Sequence, residues 1–318
     1  MKLLLRRFWA WPSELKRLGV LGMNRRNADF ILPLNPREYY PNVDNKLRTK
    51  ALCAAHGIPV PKTYAVLRGL RDLSSLEQLL NNHPDLVLKP ARGSGGRGII
   101  VIAGRQVNEF VTPGGTVYKL ADLRYHCAEI LSGLYSLGGL PDCVILEQRI
   151  DCHPVFDGYA VGGTPDIRVI VYRAYPSMAM ARLPTRASQG KANLHQGAVA
   201  AAIDLESGRA YGGVQRNRAV TRHPDTEALL SELTVPYWTE VLSFSTGLVK
   251  RIGLDFVGVD LVIDRVRGPL VLEANARPGL AIQLANRSGL LLATRRIDEV
   301  IVSIAQSRDG GASRHTRQ

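Results

Sequence analysis

Lys89-Pro90-Ala91-Arg92-Gly93-Ser94-Gly95-Gly96-Arg97-Gly98 lies between two β-rich runs, residues 86–88 and 99–102. Its glycines let backbone N–H groups come close to an anion, while Lys89, Arg92 and Arg97 supply charge. A Walker A loop would run Gly-Lys-Ser/Thr into a helix, and a dinucleotide fingerprint also opens a helix; here a strand follows. That order predicts a phosphate-binding hairpin loop, although a glycine hairpin with incidental basic residues uses the same pattern. A second constellation is Gly258-Val259-Asp260-Leu261-Val262-Ile263 followed by Leu270-Val271-Leu272-Glu273-Ala274-Asn275. A hairpin turning at Val266-Arg267 would pair Asp264 with Pro269, Val262 with Val271 and Asp260 with Glu273. Alternation then puts Asp260, Glu273 and Asn275 on one face, with the carboxylates opposed about 5 Å apart at Cβ. A bare pair would repel; three hard oxygen donors suit a shared Mg²⁺ or Mn²⁺ rather than zinc.

Asp166-Ile167-Arg168 and Arg182 place charges on strands. Arg168 shares a face with Asp166, where a guanidinium can clamp a transferring phosphate or an acyl-phosphate oxygen; a structural Asp–Arg pair is the other use of the pattern. Lys191-Ala192-Asn193-Leu194-His195-Gln196-Gly197 is a polar loop entering a strand. No Ser-His-Asp system is visible, and no cysteine sits in an evident electropositive site.

The elements that must carry these groups follow from pattern. Asp44 to His56 reads as a helix of good formers stopped by Gly57, followed by extended Ile-Pro-Val-Pro. Strands are expected at 86–88, 99–102, 144–146, 167–172, 178–183, 197–203, 257–263 and 270–274, with helices at 121–137 and 227–252. Strands recur in adjacent pairs with helices set apart, so the fold class is α+β with antiparallel sheets. Residues 3–22 carry apolar positions at helical spacing with Lys/Arg between them and Pro12 as an interruption, which fits two short basic amphipathic helices. Residues 24–43 read as an irregular connector, and Ser307 to Gln318 as a disordered basic tail.

The 318 residues suffice for two lobes. Expected bounds are 1–43 for a basic arm and connector, 44–143 for a lobe with the glycine loop, 144–305 for a lobe with the metal face, and 306–318 for the tail. Lys and Arg exceed Asp and Glu by 13, and residues 1–50 hold 11 of the basic residues against four acidic ones. Such a charge attracts anions, which leaves a basic RNA- or ribosome-binding protein as a reading of another class. Against it, aromatic residues make up only 6% of the chain, too few to interleave the basic segments for base stacking. Cys53, Cys127, Cys143 and Cys152 form no zinc-type spacing, and no signal peptide or membrane span is evident, so a reduced cytoplasmic setting is expected.

Taken in order, these motifs resemble the ATP-grasp superfamily, and more narrowly the RimK-type α-L-glutamate ligases. Asn45-Lys46-Leu47-Arg48-Thr49 with Gly57-Ile58-Pro59 is similar to that family's lysine helix, and Ile145-Leu146-Glu147-Gln148-Arg149-Ile150 to its hinge strand. Asn275-Ala276-Arg277-Pro278-Gly279 is closer to an α-L-glutamate ligase-related branch near the sugar-transfer-associated ATP-grasp proteins. Residues 1–43 stand where RimK-type enzymes carry a full α/β domain, and 151–165 look like an insertion. The resemblance implies two α+β lobes clasping ATP, with two Mg²⁺ (or Mn²⁺) ions. It implies nucleotide contacts from Lys46, Lys89, Gly93, Ser94, Gly95, Gly96, Gly98, Gln148, Arg149, Asp166, Lys191, Ala192 and Asn193. Metal contacts would come from Asp260, Glu273 and Asn275, charge stabilisation from Arg168 and Arg182, and substrate contacts from Arg277 and Gly279. The implied reaction joins a carboxylate to an amine through an acyl phosphate, with a glutamate-like amino acid and an acceptor as partners. Cell-envelope or sugar-linked biosynthesis is the alternative setting. An anionic surface for the basic arm and a second copy of the chain complete the partners left open.

Overall fold

The computed structural model describes residues 11–93, 95–106 and 109–312. A small sheet is built from β1 (Thr63–Leu67), β2 (Leu86–Pro90) and β3 (Ile100–Ile102). Next come β4 (Gly104–Gln106), β5 (Glu109–Val111) and β6 (Val117–Lys119), which form a separate three-stranded meander. β7 (Val144–Glu147) returns to the small sheet, giving the order β1-β7-β2-β3. The large sheet holds β8 (Asp166–Tyr172), β9 (Tyr175–Leu183), β10 (Val199–Ile203), β11 (Ala210–Gln215), β12 (Arg218–Val220), β13 (Phe256–Asp264) and β14 (Gly268–Asn275). Its order is β12-β11-β10-β9-β8-β13-β14, and neighbours in both sheets run antiparallel. The fold is the α+β arrangement expected from the paired strand runs.

Alternation decides what each sheet offers the other. In β2, Leu86 and Leu88 enter a core with Leu76, Leu80, Leu123, Ile130 and Leu146, so Val87 and Lys89 take the opposite face, level with Glu147 and Ile145. In the large sheet, Ile167, Val169, Val171, Val257, Val259 and Leu261 pack with Val241, Leu248 and Ile252 of the helix Trp238–Ile252. The other face is apolar at one end, where Ile170, Tyr172, Met178, Met180 and Phe256 meet Leu290, Leu291 and Ile297 of the helix Leu290–Ala312. At its other end that face carries Asp166, Arg168, Arg182 and Asp260. One sheet face is thus core for part of its length and polar for the rest.

Several expectations are corrected. Residues 24–43 are short helical turns, including a π-helical turn Arg26–Ile31, because Phe30 and Ile31 bury with Leu21 against the large sheet while Pro33, Pro36 and Pro41 keep the turns short. Asn35 fixes this segment: its amide donates to the Phe256 and Ala276 carbonyls at 2.8 Å each and accepts from Phe256 N–H at 3.0 Å. Helix 227–252 begins only at Trp238, since Pro236 cannot continue it and Leu230, Leu233 and Val235 are drawn into the core. The expected tail is helical through Ala312, continuing a helix anchored by Ile297 and Ile301, and residues 313–318 lie outside the described ones. Of the two helices expected in 3–22, Pro12–Arg17 is found and residues 1–10 lie outside the described ones. The lobe boundary at 143/144 cuts off a strand, because β7 pairs with β1 and β2. The helix Lys46–Ala55, grouped by sequence with the small lobe, contributes Cys53 to the large-sheet core.

Candidate active site

Asn45 starts the lysine helix by accepting the Leu47 N–H at 3.0 Å, and Gly57 ends it at a left-handed φ of +66°. Lys46 and Lys50 therefore sit one turn apart on the same side. The Lys46 ammonium donates to the Gly93 carbonyl at 2.6 Å and stands 3.5 Å from Glu273 Oε2, so one side chain touches both the glycine loop and the face that carries Asp260 and Glu273. Lys50 donates to Glu147 Oε2 at 2.6 Å, to Thr63 Oγ1 at 2.7 Å and to the Pro61 carbonyl at 2.8 Å. Lys89 pairs with the other oxygen of Glu147. Burial alone would raise the Glu147 pKa, but Lys89 and Lys50 outweigh it and hold the carboxyl below its ordinary value. Burial lowers the Lys50 pKa, with Glu147 opposing. Sequence reading passed over Lys50 and Glu147; the signals were the i, i+4 lysine spacing and a carboxylate ending an apolar strand.

The glycine loop is anchored at its base and open at its tip. Gly93 bridges Ser136, Arg92 N–H donates to Asp142 Oδ2 at 2.8 Å, and His126 Nε2 lies 2.9 Å from the Gly98 carbonyl. Gly95, Gly96 and Gly98 have φ of +65°, +74° and +74°, a backbone that side chains disfavour. Ser94 lies outside the described residues.

On the large sheet, Asp260 lies opposite Glu273 and Gly258 opposite Asn275, in the expected register. Nearer the turn the pairing shifts by one, Leu261 with Val271 and Val262 with Leu270, so Leu272 is a β-bulge; the expected pairs Val262–Val271 and Asp264–Pro269 are corrected. The bulge has a use. Val271 and Ala274 face the helix-covered core, whereas Leu270 and Leu272 join Ile150 and Val262 on the same side as Asp260, so neighbouring Leu272 and Glu273 share one face. An apolar floor and a carboxylate then lie side by side.

Asp260 is fully enclosed by donors. Arg168 reaches it through Nε at 2.7 Å and Nη2 at 2.5 Å, Arg182 through Nη2 at 2.9 Å, and Asn275 Nδ2 stands 3.3 Å from Oδ2. Arg182 also forks onto Asp166, with Nε at 2.5 Å and Nη2 at 2.7 Å. Burial would raise the Asp260 pKa, yet Arg168 and Arg182 bring it down to about 2; burial, with the Asp260 charge adding to it, carries Asp166 up to about 6 against the pull of Arg182. Each arginine still has Nη1 donors to offer a ligand. Asp260, Glu273 and Asn275 carry hard oxygen donors of the kind a divalent cation takes, with Glu273 half-buried, 3.5 Å from Lys46 and from Asn275, and in contact with Asp260.

The remaining expected residues are more dispersed. Arg149 pairs with Asp85 at 3.4 Å on the surface, and Gln148 Oε1 accepts from Arg267 at 2.9 Å in an open groove of about 900 Å³ between the lysine helix and β1. Lys191, Ala192 and Asn193 occupy the β9–β10 connection, where Asn193 caps the turn Leu194–Gln196 through the His195 N–H. Arg277 lies over the Tyr40 ring at 5.0 Å, and nothing crowds Gly279.

The chain is similar to several known proteins. A probable α-L-glutamate ligase of Enterobacter sp. (strain 638) is 26% identical over 270 residues, covering 84% of this chain and 67% of the relative. The ribosomal protein bS6–L-glutamate ligase of Salmonella paratyphi B is 25% identical over 248 residues, covering 78% and 60%. Among solved structures, the ATP-grasp ligase PsnB with a minimal precursor matches at 15% identity and a TM-score of 0.47, covering 84% of this chain and 63% of that one. The chain therefore spans about two thirds or less of these proteins' lengths. The family model for sugar-transfer associated ATP-grasp proteins matches residues 25–299, from the π-helical turn through both sheets, and the chain belongs to that family.

Proposed function

We propose that this ATP-grasp ligase phosphorylates a substrate carboxylate with ATP and passes the acyl group to an amine, forming an amide and releasing ADP and phosphate. One observation carries the reading: Lys46 contacts the Gly93 carbonyl and the Glu273 carboxylate together, which joins the anion loop of one lobe to the oxygen donors of the other. In this reading Lys46, Lys89 and the amides of the Gly95–Gly98 turn hold the phosphates, and the apolar floor of Leu270 and Leu272 takes the base. Asp260, Glu273 and Asn275 would hold Mg²⁺ or Mn²⁺. When bound, such an ion neutralises phosphate charge as a Lewis acid. Arg168 and Arg182, oriented by Asp260 and Asp166, present Nη1 donors to the oxygens that gain charge. No enzyme nucleophile is required. The lobes are 44–143, extended by β7, and the rest of the large sheet, with ATP between them.

The names of the curated relatives support a glutamate-like amino acid as the amine and a protein or peptide acceptor, and the family description supports a sugar-linked one. The test is ADP release in the presence of ATP, Mg²⁺ and a panel of amino acids and small carboxylates, followed by mass spectrometry of the product. Wild type is expected to turn over only with a matching pair. An Asp260→Asn, Glu273→Gln double variant is expected to lose about a hundredfold or more in kcat/KM, in line with the loss of charge stabilisation at a transferring group. Full turnover by that variant would sink the proposal.

A further inference from the structure

The segment before the lysine helix brings two residues to the rim of the metal face. Arg26, in the π-helical turn, donates through Nη1 to the Pro278 carbonyl at 3.0 Å, while Nε and Nη2 are held by Asn27 Oδ1 at 3.2 and 2.9 Å. Tyr40 lies under the Arg277 guanidinium. Arg277 follows the proposed ligand Asn275 by two residues, and Pro278 packs so closely on the strand carrying Asp260 that a Cβ on Gly258 would come within 2.8 Å of it. Asn35 locks the segment in place through Ala276 and Phe256.

Two arginines therefore border the face that carries Asp260 and Glu273, Arg26 bonded to the carbonyl of the residue that follows Arg277. Among the described residues neither Arg26 nor Arg277 forms an ion pair, whereas Arg168 and Arg182 on that face are both paired. Burial, followed by the charge of Arg277, lowers the Arg26 pKa. Asp44 senses Arg277 and Lys46 but pairs with neither. Two arginines without a carboxylate partner on one rim attract an anion, and the N–H groups that a guanidinium has left over suit an oxyanion.

We propose that Arg26 and Arg277 bind a second oxyanion of the substrate, a carboxylate or phosphate separate from the carboxylate to be activated, so that the enzyme selects dianionic substrates. This rests on the ligase reading and adds to it the class of substrate and a residue from the N-terminal segment.

The test uses the full chain with ADP and Mg²⁺ present, titrated by calorimetry with succinate and, separately, inorganic phosphate. Wild type is expected to bind at least one probe in the millimolar range. Arg26→Gln and Arg277→Gln are each expected to weaken it about tenfold, the loss of one charge-assisted contact. Arg26→Lys and Arg277→Lys, which retain charge, stay within about threefold. The probe losing more affinity identifies the group as carboxylate or phosphate. ADP affinity is expected to be unchanged in all four variants. A second measurement needs no variant: phenylglyoxal labelling of Arg26 and Arg277 in wild type, mapped by mass spectrometry, should be suppressed by the same probe. Equal probe affinity in wild type and both Gln variants, labelling that the probe does not suppress, or a wild type that binds neither probe overturns the proposal. A wild type that fails to bind ADP overturns the ligase reading itself, and this inference with it.

Discussion

Glu147 shows how much one side chain can organise. It is a single buried carboxylate shared between Lys50 and Lys89, one from a helix and one from a strand of a different lobe position. Replacing it by Gln leaves two buried ammonium groups facing each other, and Glu147→Gln is expected to lower unfolding stability by about 3–5 kcal/mol, read from urea midpoints at pH 7. The pH dependence has a definite sign. Because the folded-state pKa lies below the ordinary 4.5, the stabilisation is complete above that value and is lost as pH falls through the lower, folded one. Wild-type stability should thus decline more steeply than that of Glu147→Gln below about pH 4.5, and parallel declines would refute the shared-carboxylate account. At this scale the sequence was legible where a residue type stands out of place: Asp260, Glu273 and Asn275 share one face, as do Asp166 and Arg168, and the strand order joins both groups with Arg182 on a single face. Glu147 and Lys50 were not, since their roles exist only once the lysine helix lies beside β7.

At the scale of elements, strands and the lysine helix were readable because alternation and capping are local. The segment 24–43 was not, since its turns are set by docking onto β13 rather than by its own pattern. Asn35 is the docking point: Asn35→Ala leaves the Phe256 N–H and two carbonyls without their partner, so a loss of about 2–3 kcal/mol is expected. Limited proteolysis should then cut first within 20–40, and unchanged resistance would show that the segment is held some other way. In the glycine loop, the positions differ. A Cβ on Gly98 would come within 2.6 Å of Tyr135 at a φ of +74°, whereas one on Gly95 meets nothing. Gly98→Ala should therefore cost about 2 kcal/mol or more and Gly95→Ala about 1 kcal/mol, measured by chemical denaturation.

For the whole molecule, the net charge of +13 takes on a different distribution. Lys46, Lys50, Lys89, Arg168 and Arg182 are met by Glu147, Glu273, Asp166 and Asp260, so the centre of the site holds close to one positive charge of its own. The rest of the excess is carried by residues outside this cluster. Among the described residues no helix is long and apolar enough to cross a membrane. Since nucleotide would contact both sheets, ADP with Mg²⁺ at about a hundredfold over its Kd should add about 2.7 kcal/mol and raise the melting temperature by about 5 °C or more. Lys46→Ala, which removes the side chain common to both lobes, should reduce that shift in the same melting experiment.

The bulge at Leu272 has a consequence for how this chain can change by descent. Substitutions along β14 alter one side chain at a time, and removing the codon for Leu272 would restore strict alternation with Val271 and Ala274 still toward the helix Trp238–Ile252 and Leu270, Glu273 and Asn275 still on the opposite face. Removing the codon for Ala274 instead would turn either Glu273 or Asn275 toward that helix, with the ladder still able to form. The bulge thus makes Leu272 a place where length can change at the loss of one apolar side chain: a Leu272 deletion should retain the sheet and its polar face, whereas an Ala274 deletion should retain the sheet and no longer hold nucleotide.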